Sequence, residues 1–172
     1  MGHAPTECSD FQVKCDFWDL FRDTVAKIPK GYTQIWSVGA NGTVGMHESN
    51  VHMLVPTEHE SYNGSRLRTA AEMCGVRLVS TYTSGVVPTW HRGTGTAKRI
   101  DYVGISDAVL PADVHQSHSS SDIALSIGTT ADHTLVRASV PWKGRPVWNW
   151  RALAFARALL CVSLVSQKRT SL

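Results

Sequence analysis

Helical and strand-like apolar patterns both occur along this chain, which points to a fold of mixed α and β structure. Phe17, Leu20, Phe21, Val25 and Ile28 recur at helical spacing until Pro29 and Gly31 stop the pattern. Leu67, Ala70, Ala71 and Cys74 lie at i, i+3, i+4 and i+7 in a segment that starts at Asn63, and Gly75 follows as a C-cap glycine. Around these helices stand β-prone runs at Gln34–Val38, Val76–Tyr82, Arg99–Ile105, Ile123–Ile127 and Thr134–Val140. The stretches Trp90–Lys98 and Gln116–Ser121 have loop composition. The expected class is α/β (α+β), with strands dominating the second half.

The 172 residues are 42% hydrophobic and 18% charged, which gives one domain enough apolar surface for a core and excludes a disordered chain. A net charge of +3 permits a polyanionic partner without requiring one. Cys8, Cys15, Cys74 and Cys161 form no C-x-x-C pair, so neither a zinc site nor a disulfide framework is expected, and an intracellular, reducing compartment is. The N-terminus has no basic segment leading into an apolar one, so no secretory signal is read. Ala152–Val165 is apolar but short and broken by Arg157, and no membrane span is expected. The segment 148–172 reads as a helix with a basic tail, either covering a core or partner or lying on a membrane surface. The division expected is a domain over 1–145 and this appended piece over 146–172.

Residues able to do chemistry fall at the ends of the β-prone runs. Asn41 follows the first in the glycine-rich loop Gly39–Gly45, Asp101 sits in Ile-Asp-Tyr-Val, and Asp132 and His133 precede the last. Such carboxylates, brought together, hold a hard cation such as Mg²⁺, and a neighbouring His relays a proton. Trp90, His91, Arg92, Lys98 and Arg99 are either a clamp for a nucleic-acid backbone, by phosphate contacts and stacking, or a solvated basic loop with its Trp in the core. His47, His52 and His59 have no metal-ligand spacing. Ser117–Ser121 lacks the strained turn of a hydrolase nucleophile, and Gly93-Thr-Gly-Thr96 is no nucleotide-binding fingerprint.

Taken in order, His3-Ala-Pro, Phe17-Trp-Asp-Leu, Val38-Gly-Ala-Asn41-Gly-Thr-Val-Gly45, Asn63-Gly-Ser-Arg-Leu67, Thr89-Trp90, Arg99-Ile-Asp101-Tyr-Val103 and Ala131-Asp-His133-Thr-Leu-Val136 resemble the endonuclease/exonuclease/phosphatase (DNase I-like) superfamily. The closest resemblance is to endonuclease domains of non-LTR retrotransposons, and it runs from His3 to about Val140. It implies the C-terminal part of a four-layer α/β sandwich, with two mixed β-sheets flanked by helices. It further implies Mg²⁺-dependent phosphodiester hydrolysis of nucleic acid, DNA first, with Mn²⁺ as a substitute ion. Carried over, Asp132 is a metal ligand, His133 acts at the scissile phosphate, Asp101 orients His133, Asn41 positions the nucleophile or phosphate, His3 contacts phosphate and Asn63 is a supporting polar residue. Trp90, Arg92, Lys98 and Arg99 fall near the family's DNA-facing loop.

Two departures bear on activity. Gly39 stands where the family loop has Asp, and the chain begins at the His-Ala-Pro motif, after the family's N-terminal Asn and metal-binding Glu. The expectation is therefore weak or lost cleavage, with dependence on a missing N-terminal segment. The alternative is a catalytically inactive remnant that binds nucleic acid or has no autonomous function.

Overall fold

The computed structural model describes residues 2–45, 59–82, 88–92, 95–106, 117–126, 131–141 and 161–165. From residue 117 onward the description is of backbone pairing, together with the side chain of His133.

Helix α1 spans Phe11–Ala26. Asp10 starts it by accepting the amide of Gln12 at 2.8 Å, satisfying a donor that the first turn cannot pair internally. Helix α2 spans Tyr62–Cys74, with Ser61 as N-cap and Gly75 in the left-handed conformation as C-cap. Its buried Leu67, Ala70 and Ala71 are the stripe that the spacing predicted. Gly75 is suited to that turn because glycine alone pays no Cβ penalty there.

The first sheet is built from β1 (Gly2–His3), β2 (Ile35–Gly39), β3 (Val76–Arg77) and β6 (Asp101–Ser106), in the order β1-β2-β6-β3. Only β1 and β2 run parallel; β6 is antiparallel to both of its neighbours. Trp36, Val38 and Tyr102 project from one face into a core shared with Trp18, Val25, Leu67 and Ala71. There Phe21 of α1 meets Trp36 edge to face at 5.3 Å. Gly2 lies under the same helix, where a Cβ would touch the Phe21 ring at 3.5 Å.

The second sheet comprises β4 (Trp90–Arg92), β5 (Thr96–Lys98), β7 (Ser117–Ser126), β8 (Ala131–Pro141) and β9 (Cys161–Val165). Its order is β5-β4-β8-β7, and β9 pairs in parallel with β8. Among the described residues, mixed α and β structure in two sheets and two α-helices is thus established. No helix among the described residues is long and apolar enough to cross a membrane.

Several local expectations are corrected. Val76–Tyr82 is a strand only at Val76–Arg77 and then tightens into a 3₁₀ turn at Val79–Thr81. The Ser80 hydroxyl takes the amide of Val103 at 3.1 Å, replacing the ladder bond a longer strand would have made. Within Trp90–Lys98, expected as loop, Trp90–Arg92 and Thr96–Lys98 are the antiparallel strands β4 and β5 of a hairpin, pairing Trp90 with Lys98 and Arg92 with Thr96. Gln116–Ser121 was expected as loop, yet residues from Ser117 lie in edge strand β7, a place that tolerates polar residues. Asp132 and His133 lie within β8 rather than ahead of it. Within the segment 148–172 expected to be helical, Cys161–Val165 are strand β9, the β-prone Cys-Val-Ser-Leu-Val having a partner in β8. The remainder of that segment lies outside the described residues, as do His47 and His52.

Candidate active site

The register of the first sheet sets His3, Gly39 and Asp101 side by side across β1, β2 and β6. Residues paired in this way project from the same face, and here it is the face opposite Trp36, Val38 and Tyr102. Gly39 leaves a gap in the row: a Cβ there would lie 3.0 Å from His3 Cδ2 and 3.3 Å from Asp101 Oδ1.

A second row comes from the other sheet. Lys98 pairs with Trp90, and Trp90 pairs with His133. Alternation along β4 and β5 therefore puts Trp90, Arg92, Thr96 and Lys98 on the His133 side of the hairpin. Arg92 and Lys98 are exposed and Trp90 is half-buried. Arg99, grouped with them in the sequence, is packed inside at 3% exposure and presents no guanidinium to solvent.

The rows meet at one contact. His133 Nδ1 lies 3.1 Å from Asp101 Oδ2, with side-chain exposures of 31% and 13%. With the carboxylate ionised, Nδ1 donates the hydrogen bond and Nε2 carries the ring's lone pair. The pair can thus take a proton from an attacking hydroxyl or water and give one to a leaving oxygen.

The glycine-rich loop is fastened by groups that spacing does not reveal. The Tyr102 hydroxyl accepts the amide of Val44 at 2.9 Å and reaches Gly42 O at 3.2 Å and Arg99 O at 2.9 Å. Asn41 takes a positive φ of 50° and donates its carboxamide N–H to Ala4 O at 2.6 Å. This ties the loop to the segment after His3. Asn63, wholly buried, donates to Pro5 O at 2.7 Å and accepts the Trp18 indole at 2.8 Å. Glu7 accepts the amide of Asn63 at 2.9 Å, placing a carboxylate at the positive end of α2.

The structure therefore sets His3 and Asp101 side by side at Gly39 and His133 against Asp101, with Trp90, Arg92 and Lys98 on the His133 side of the adjoining hairpin. It places Asn41 and Asn63 in the bracing beneath. The side chain of Asp132 lies outside the described residues. A Mg²⁺ or Mn²⁺ ion takes oxygen donors. Asp101 is engaged with His133, and the described residues contain no group of three or more His, Cys, Asp or Glu able to hold a metal ion. The described residues do not by themselves fit such an ion.

Two residues have structural roles that the sequence reading did not assign them. Glu7, no obvious substitute for the family's metal-binding Glu because it follows the His-Ala-Pro motif, instead accepts the amide of Asn63, 56 positions away at the start of α2. Thr89, quoted only within the motif Thr89-Trp90, accepts the amides of Ile100 and Asp101.

Compared with known proteins, the chain matches no protein-family model and gives no significant match among curated proteins or solved structures.

Proposed function

We propose that the chain acts on a nucleic-acid phosphodiester, DNA in the first instance. His133 moves the proton and Asp101 orients it. The observation that carries this reading is the 3.1 Å contact between His133 and Asp101, set against a hairpin face bearing Trp90, Arg92 and Lys98. Guanidinium and ammonium groups draw in the phosphate backbone, and an indole gives a base a surface to stack on. His133 Nε2 removes a proton from the attacking water while Asp101 keeps the ring in one tautomer. The ordered motifs shared with the endonuclease/exonuclease/phosphatase superfamily support the same reading. On it, the two sheets are the inner layers of a four-layer sandwich, with α1 and α2 outside the first.

A second reading, a nucleic-acid-binding domain without cleavage, is favoured by Gly39. That position adjoins both His3 and Asp101 and bears no carboxylate. Nicking of supercoiled plasmid by the full chain, with Mg²⁺ and with EDTA, separates the two. Nicking that needs Mg²⁺ and disappears in His133→Ala supports hydrolysis. Salt-sensitive binding with no cleavage by either chain supports the second reading, and undiminished nicking by His133→Ala removes His133 from the mechanism.

A further inference from the structure

Thr89 lies immediately before Trp90, where the hairpin of the second sheet begins, and it is buried. Its amide donates to Lys98 O at 2.9 Å, closing the hairpin. Its hydroxyl oxygen accepts two backbone amides of the other sheet's strand, from Ile100 at 2.9 Å and from Asp101 at 3.0 Å. The next residue, Trp90, is the register partner of His133.

A closed circuit follows from these contacts. It runs from Asp101 N to the Thr89 hydroxyl, along one peptide bond to Trp90, across the ladder to His133, and from Nδ1 back to Asp101 Oδ2. Each of its links is a short hydrogen bond, a ladder pairing or a covalent bond. Both members of the pair are thus located from one point.

We propose that Thr89 is the positioning residue of the His133–Asp101 pair: its hydroxyl fixes the separation between the strand bearing Asp101 and the hairpin against which His133 is registered. It touches no substrate and acts through Asp101 and Trp90. The inference rests on the reading of that pair as the working centre, but its geometric content is testable without cleavage. A methyl in place of the hydroxyl leaves the amides of Ile100 and Asp101 without their acceptor, and a buried donor without an acceptor draws the backbone toward another partner. A hydrogen bond at 3.1 Å does not survive a shift of several tenths of an ångström in good geometry.

The test compares Thr89→Val, which keeps the shape and loses the hydroxyl, with Thr89→Ser, which keeps the hydroxyl and loses the methyl. In ¹⁵N-labelled full-length chain at one fixed pH, the His133 Nδ1–H bonded to a carboxylate gives a downfield, slowly exchanging proton resonance. The expected result is that Thr89→Val melts cooperatively but loses this resonance, while Thr89→Ser retains it. Plasmid nicking should fall on the order of tenfold to a hundredfold in the Val variant and recover in the Ser variant. Retention of the resonance in a folded Thr89→Val chain overturns the proposal, as does its loss in Thr89→Ser. Should the Val variant not fold, Thr89→Ser decides alone: slow amide exchange at Ile100 and Asp101 with the resonance present supports the proposal, and fast exchange at both overturns it. Should the wild-type chain fail to nick, the reading as a hydrolase falls while the resonance still reports on Thr89.

Discussion

The Trp18 indole donates to the Asn63 carboxamide at 2.8 Å, joining the middle of α1 to the first turn of α2 in a buried contact. The same carboxamide donates to Pro5 O at 2.7 Å, so one side chain braces two helices and the segment after β1. Asn63→Ala leaves the indole N–H and a carbonyl without partners in the core. A loss of about 3 kcal/mol is expected, read from urea unfolding. A midpoint within error of wild type would show that this brace contributes nothing.

Glycines 64 and 39 should respond differently to the same methyl. A Cβ at Gly64 runs into the backbone carbonyl of Thr43, which cannot swing aside. At Gly39 the nearest atom is His3 Cδ2 at 3.0 Å, on an exposed ring that can turn away. Gly64→Ala is expected to unfold the chain or cost several kcal/mol, and Gly39→Ala to cost about 1 kcal/mol or less. Thermal melts of the two variants side by side make the comparison, and equal melting temperatures would contradict it.

Salt dependence separates the exposed cations from the buried one. Arg92→Ala and Lys98→Ala should each weaken DNA binding and reduce the slope of log affinity against log salt by about 1. Arg99→Ala should lower the melting temperature instead, since its guanidinium is packed inside. Filter binding across a salt series checks the first pair. An unchanged slope in both variants would move the nucleic-acid contact off this hairpin.

Burial raises the pKa of the Cys74 thiol above its ordinary value of 9.0. The folded chain therefore holds that proton more tightly than the unfolded chain does. Stability linked to it is intact below about pH 9 and declines as pH rises beyond the ordinary thiol range. Cys74 should label with a maleimide much more slowly than exposed Cys8 near neutrality, the gap narrowing as the solution becomes alkaline. Mass spectrometry of the modified peptides gives both rates, and equal rates at pH 7 would contradict the burial.

Local periodicity made the helices legible. Leu67, Ala70, Ala71 and Gly75 carry the whole of α2 within one window, and the β-branched run ending at Ile105 does the same for β6. Pairing between distant strands is another matter. Composition left the convergence of Asp101 with His133 weak, for they lie 32 positions apart; the ordered motifs named the pair, and the structure gives its distance. The hairpin β4–β5 was hidden because Gly93 and Gly95 signal a turn without showing that the flanking residues pair. Cys161–Val165 was hidden by its helix-forming neighbours, and only the presence of β8 beside it makes it a strand. The bracing by Thr89 and Glu7 depends on tertiary placement, which no spacing encodes.

A phenol has one proton to give, and Tyr102 faces two carbonyls with it. The 2.9 Å reach to Arg99 O is shorter than the 3.2 Å reach to Gly42 O, so the hydrogen rests mostly on the strand side. The segment bearing Asn41 is tethered through this hydroxyl, which also accepts the amide of Val44. The glycine-rich loop and the segment before the strand of Asp101 thus meet at one phenol, and Tyr102→Phe would remove that junction without emptying the core around it.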